Sequence, residues 1–195
     1  MFYIGCTRFN NDTYKENIDY RFKNQETVIY GSALKIREIY LPDSLIFVAE
    51  MNNDTNKIEG IGLIRNSLVY NKKHKIYEHI EYNRYIYNGK YWLKREILDN
   101  MDPDITKILD TVLFKGKSHL KCRSGISIIT DKLFSHWDYK LGILKEKIKN
   151  VFLRHFINTE ELTEASFEIE ETIEIVPKTK RNRRRLDKCD KNIEN

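Results

Sequence analysis

Every odd position from 115 to 123 carries a lysine, a histidine or an arginine: Lys115, Lys117, His119, Lys121 and Arg123. Gly116, Ser118, Leu120 and Cys122 fill the gaps with small or apolar groups. On an extended backbone, side chains alternate between faces with a period of two. All five basic groups would then point one way, spaced to meet a row of phosphates. A helix would scatter them around its circumference. The same pattern also suits a solvated edge strand, where lysine deters edge-to-edge association.

A second group surrounds Asn88-Gly89, a dipeptide that favours a type I′ hairpin turn. Pairing 87 with 90 and 85 with 92 would place Tyr85, Tyr87, Lys90, Trp92 and Lys94 on one face. Arg84, Ile86, Tyr91 and Leu93 would share the other, which reads as core. An aromatic face rimmed with lysine suits stacking of bases along a charged backbone. It equally suits cross-strand aromatic packing under a loop. A third group, Lys180, Arg181, Arg183, Arg184 and Arg185, follows Pro177 and reads as a localisation signal or a nucleic-acid arm, disordered when free.

Enzyme signatures are missing. No P-loop, G-x-G-x-x-G, G-x-S-x-G or H-E-x-x-H pattern occurs. The five histidines show no spacing that suggests a metal site with Cys or Asp, and no pattern unites Asp43, Glu50, Glu59 and Glu81. The reading therefore includes no catalytic residue, no cofactor and no metal.

The elements that must position these groups follow from the hydrophobic pattern. At 195 residues, 41% hydrophobic and 32% charged, the chain has the size and composition of one domain with a core, plus tails. Leu45–Glu50 is nearly continuously apolar, as in a central strand. The returning strand over 57–65 is interrupted by Gly60 and Gly62, which share a face and mark a bulge, a bend or close approach by another group. Thr13 with Glu16 forms a capping box for a helix whose apolar face is Tyr14, Ile18 and Phe22. Asp102-Pro103 opens another, with Ile105, Ile108, Leu109, Val112 and Leu113 on one side. A final amphipathic helix of about 20 residues over 133–157 docks on the domain or on a second copy of the chain.

These signals give an α+β domain over 1–130, a helix and acidic segment over 131–176, and a basic tail over 177–195. Net charge is +4 over residues 1–130, −4 over 131–177 and +5 over the last 18. No apolar run approaches the roughly 18 residues of a membrane span, and no signal peptide is evident. Cys6, Cys122 and Cys189, widely separated and odd in number, indicate a reducing, intracellular compartment.

The order of elements over residues 1–130 resembles the PUA-like superfamily, particularly its EVE and YTH branches. The resemblance rests on Phe2–Cys6, the helix with Phe22 and Gln25, and Leu41-Pro42-Asp43-Ser44. It continues through Ile46–Glu50 and Ile58-Glu59-Gly60-Ile61-Gly62-Leu63-Ile64. It implies a small curved β-barrel with flanking helices that binds RNA, or a modified base in RNA or DNA, in some members within an aromatic cage. Residues 1–91 contain no Trp for a tryptophan cage. Residue usage resembles that of proteins of AT-rich large DNA viruses, which adds a viral factory or virion to the nucleus as a destination. The expected function is non-enzymatic nucleic-acid binding, with Lys115, Lys117, Lys121 and Arg123 on phosphate, His119 in the same row, and Tyr85, Tyr87 or Trp92 stacking on a base. The alternatives are a protein-interaction or dimerisation module with a regulatory charged tail, and a nuclease or base-modifying enzyme on the same fold.

Overall fold

A computed structural model describes residues 2–70, 73–116 and 118–156. Along the chain run β1 (Phe2–Phe9), α1 (Asn11–Asn24), β2 (Val28–Ser32), β3 (Leu45–Asn52), β4 (Lys57–Arg65), a 3-10 turn (Ile80–Asn83), β5 (Tyr85–Gly89), β6 (Tyr91–Lys94), α2 (Arg95–Met101), α3 (Pro103–Phe114), β7 (Ser127–Ile128), α4 (Asp131–Phe134) and α5 (Leu141–Phe156). Five strands form a sheet in the order β6-β4-β3-β1-β7, and β2 pairs with β5 in a second sheet. β1 and β3 are parallel, with Phe2 opposite Leu45 and Phe9 opposite Asn52. A parallel pair needs a crossover, and α1 with β2 provides it. The fold is α+β. The described strands do not close into a barrel, because β6 and β7, four and two residues long, remain as edges.

β3 is buried at every position because it has a layer on each side. Leu45, Phe47, Ala49 and Met51 face a core built with Leu109 and Val112 of α3 and Leu144, Ile148, Val151 and Phe152 of α5. Ile46 and Val48 face the small sheet, against Val28, Tyr30, Ile86 and Tyr87. α5 crosses the helical side obliquely. Lys145 lies over the Phe2 ring of β1, Phe152 meets Phe47 of β3, and Phe156 meets Tyr91 of β6. Its buried residues Leu144, Ile148, Val151 and Phe152 are thus packed within the chain, against the domain. The α3 expectation holds in detail: Asp102 caps, Pro103 is the first helical residue, and all five named apolar positions are buried. No helix among the described residues is long and apolar enough to cross a membrane.

Three local expectations fail, each for an identifiable reason. The cap of α1 is Asn10, with Thr13 as its reciprocal partner, so the capping box lies three residues earlier than Thr13–Glu16. The buried face of α1 is Asn17 and Arg21, while Phe22 is 90% exposed. Asn88-Gly89 makes no hairpin: β5 pairs with β2 and β6 with β4, in different sheets. Neither Asn88 nor Gly89 has the positive φ that a type I′ turn requires. Gly89 instead lies so close to the Leu63 carbonyl that no Cβ fits. The chain there passes from one layer to the other.

The two sheets and α1 meet at a buried ion pair. Arg21 Nη2 lies 2.6 Å from Glu50 Oε1, and their side chains are 6% and 0% exposed. Tyr30 of β2 donates its hydroxyl to Oε1 at 2.7 Å, and Trp92 of β6 donates Nε1 to Oε2 at 3.0 Å. The guanidinium lies over both rings, 5.2 and 5.6 Å from their centroids. Burial works against the Arg21 charge, but Glu50 outweighs it and holds the pKa above its ordinary value. Gly60 and Gly62 are bare to admit this cluster. A Cβ at Gly60 would stand 2.8 Å from Trp92 Nε1, and one at Gly62 would run into the Tyr30 hydroxyl. A register shift between Ala49 and Met51, opposite Gly60, adds the bulge the glycines suggested.

Breaking such a pair from one side leaves an uncompensated buried charge, costing about 3–5 kcal/mol, whereas removing both charges costs much less. Arg21→Met should therefore lower urea-unfolding stability by about 3–5 kcal/mol, and Arg21→Met/Glu50→Gln should recover most of that loss. A single-variant loss below about 1 kcal/mol would show that the pair does not anchor α1.

Candidate nucleic-acid interface

The basic segment after α3 is a loop, not a strand. Its backbone bends at Gly116, where φ is +76°. Leu120 then turns inward to 8% exposure, and its N–H donates to the Leu113 carbonyl at 2.9 Å. Arg123 N–H closes a turn on the Leu120 carbonyl. One buried leucine thus sets the path, and the period-two face of cations does not form.

Arg8 of β1 holds this loop in place. Its guanidinium donates to the Gly125 carbonyl, and more weakly to the Leu120 carbonyl at 3.5 Å and Ser127 Oγ at 3.4 Å. Burial lowers the Arg8 pKa, with Cys6 opposing and Arg123 adding to the decrease. Asn53, at the β3–β4 turn, donates Nδ2 to the Lys121 carbonyl at 3.1 Å. Lys121 Nζ reaches Asn56 Oδ1 at 2.6 Å. The loop is tied to the domain through backbone groups and through the Lys121 ammonium on a neutral amide, so these contacts do not neutralise its cationic charge.

Two cavities open beside it. The first, about 260 Å³, lies at the ends of β1 and β3 and the start of α1. Arg8, Lys121 and Arg123 line it together with Tyr77, Tyr82 and Asn53. Tyr77 and Tyr82 meet edge to face at 6.1 Å, and Tyr82, 43% exposed, is backed by His79, stacked at 4.6 Å. The second, about 890 Å³, runs along β7 between residues 34–40 and 118–133, with Lys35, Arg37, His119, Arg123 and Lys132 on its walls. Arg123 and Ser124 belong to both. Neither lining contains an aspartate or a glutamate. Among the described residues, no carboxylate pairs with Arg8, Lys121 or Arg123. The start of α1 adds the positive end of a helix dipole at the same place.

The structure thus separates the residues named from sequence. Lys121 and Arg123 share the first cavity, while His119 joins Arg123 in the second. Lys115 is exposed at the end of α3 and lines neither. Lys117, Lys180, Arg181, Arg183, Arg184 and Arg185 lie outside the described residues, as does the acidic segment. The aromatic trio is not a stacking platform. Tyr87 is 1% exposed, with its hydroxyl accepting from Ile36 N–H at 2.9 Å. Trp92 is bound to Glu50. Tyr85 is half-buried on the small sheet, with Arg84 over its ring. The aromatic groups lining the first cavity are Phe9, which is buried, Tyr77 and Tyr82. No local pattern marks Tyr77 and Tyr82, because they line the cavity with residues far away in sequence.

Burial pushes the Cys6 thiol up to about 11, against the opposing pull of Arg8 and Arg123. It therefore stays protonated at neutral pH and is a poor nucleophile. Among the described residues, no three His, Cys, Asp or Glu side chains gather where they could hold a metal ion.

Replacing Arg8 by Met should free the loop without unfolding the sheet. Amide exchange over 120–127 should accelerate by at least about tenfold, with β3 and β4 unchanged, since local opening precedes global unfolding. Equal acceleration in β3 would show instead that Arg8 supports the whole fold.

No protein-family model, no curated protein and no solved structure matches this chain.

Proposed function

We propose that this chain is a nucleic-acid-binding protein that receives the polyanion at the Arg8–Lys121–Arg123 cavity and extends it along the groove beside β7. What carries the reading is a pair of adjoining cavities walled by basic side chains, without one carboxylate, in a chain with 29 Asp and Glu. Over 1–130 the net charge is only +4, so the basic character is local. Phosphates supply the charge such a surface lacks, and they are the dominant source of affinity in nucleic-acid complexes. Tyr82, exposed at the rim and stacked on His79, offers a ring on which an unpaired base rests. The chemistry favours a single strand, because a 260 Å³ cavity admits one planar group rather than a duplex.

The resemblance to PUA-like proteins supports the same reading. Parallel β1 and β3 joined through α1 and β2 lead to a cavity at the strand ends, with the start of α1 beside it. In this reading the domain is an open relative of that barrel. Tyr77 and Tyr82 take the place that Tyr85, Tyr87 and Trp92 were expected to hold.

Affinity for a fluorescein-labelled oligo(dT) or oligo(U) should fall with log salt by roughly 0.7 per phosphate neutralised. Lys121→Ala/Arg123→Ala should flatten that slope by about 1.4, and Tyr82→Ala should cost about 1–3 kcal/mol without altering it. Slope and affinity unchanged in both variants would remove the cavity from nucleic-acid binding.

A further inference from the structure

The groove beside β7 has features that a phosphate track alone does not need. Its floor is apolar, formed by Leu34, Tyr40, Ile126, Ile128 and Leu133. Leu34 is 56% exposed, and nearby Ile39 is 73% exposed. Its walls carry Lys35, Arg37, His119, Arg123 and Lys132. Among the described residues Lys35 pairs only with Glu38, 3.7 Å away on the surface. β7 forms the edge of the five-stranded sheet. Ile129 turns its N–H to the Ile4 carbonyl. Strand alternation therefore directs the backbone groups of Ile128 away from β1, into the groove. An open edge above an apolar floor between cationic walls is the receptor geometry for an extended peptide that alternates apolar and acidic residues.

The chain carries such a peptide. In Phe167-Glu168-Ile169-Glu170-Glu171-Thr172-Ile173-Glu174-Ile175, Phe167, Ile169, Ile173 and Ile175 share one parity, interrupted by Glu171, and Glu168, Glu170, Thr172 and Glu174 take the other. Extended, it would place its apolar side on the floor and Glu168, Glu170 and Glu174 against the walls, with Glu171 alone on the apolar side. Its reach is sufficient. α5 ends at Phe156 beside Tyr91 of β6, at the opposite edge of the sheet. Four strand spacings of about 4.8 Å separate the edges, roughly 19 Å. The 11 residues from Phe156 to Phe167 span up to about 36–40 Å when extended.

We infer that residues 167–175 dock in the groove as an added strand beside β7, so that the chain's own acidic segment occupies the surface that would otherwise take nucleic acid. The docking rests on the groove and the segment. Only the competition rests on the proposed function.

The test uses the full chain in two readouts. The first is amide exchange over 33–41 and 126–133 without nucleic acid, comparing wild type with Glu168→Gln/Glu170→Gln/Glu171→Gln/Glu174→Gln. Docking predicts that the variant exchanges about tenfold or more faster in both regions, and that raising salt to about 1 M does the same to wild type. The charge swap Lys35→Glu/Arg37→Glu with Glu168→Lys/Glu170→Lys should restore protection that Lys35→Glu/Arg37→Glu alone removes. The second readout is affinity for labelled oligo(dT), which the four-Gln variant should raise about tenfold at 50 mM salt. Faster exchange without tighter binding would keep the docking and sink the nucleic-acid reading. Unchanged exchange at 126–133, or protection found instead at 91–94, would overturn the docking.

Discussion

Arg21 and Glu50 meet where α1, both sheets and β6 converge, and most of what is unusual in the fold can be traced to them. Taking two charges out of water costs several kcal/mol per ion, so the pair is not an efficient source of stability. Its value is directional. Only one placement of α1 brings Arg21 to Glu50 under the rings of Tyr30 and Trp92. That placement brings the first turn of α1 beside the ends of β1 and β3. The cavity at those ends follows from it. Gly60 and Gly62 are consequences of the same cluster, since β4 must stay bare for Trp92 and Tyr30 to reach the carboxylate.

The proposed interface depends on a second use of arginine, of opposite kind. Arg8 is held by carbonyls rather than by a carboxylate, so it shapes the loop without cancelling its own charge. Lys121 and Arg123 are then presented on a backbone fixed by Arg8, Asn53 and Leu120. Within a Debye length of about 8–10 Å, such neighbouring cations act together on a polyanion. The chain keeps one arginine neutralised inside and leaves another positive at the rim. Burial alone does not distinguish the two; the partner does.

The sequence was most informative where one local pattern had no competitor. The apolar run at Leu45–Glu50 led to a strand buried on both faces, and Asp102-Pro103 with its apolar repeat led to α3. It misled where a tertiary contact outweighed the local preference. Tyr14, Ile18 and Phe22 look like a helix face, yet Arg21 and Asn17 face inward because Glu50 and the Ile29 carbonyl await them. Asn88-Gly89 looks like a turn, yet Gly89 is small because Leu63 passes against it. The basic row was read as a strand because charge has a visible period, whereas the burial of Leu120 does not. Of the residues lining the two cavities, Lys121, Arg123 and His119 were legible. Arg8, Tyr77 and Tyr82 were not, since they join the others through long-range packing alone.

In the proposed function, nucleic acid is received at the cavity of Arg8, Lys121 and Arg123 rather than by the basic tail. Ultraviolet cross-linking of the full chain to oligo(U), followed by peptide mass spectrometry, locates the contact directly. The account predicts cross-links at Tyr82 and within peptides spanning 118–125. Cross-links confined to residues 178–195, with none in those regions, would contradict it.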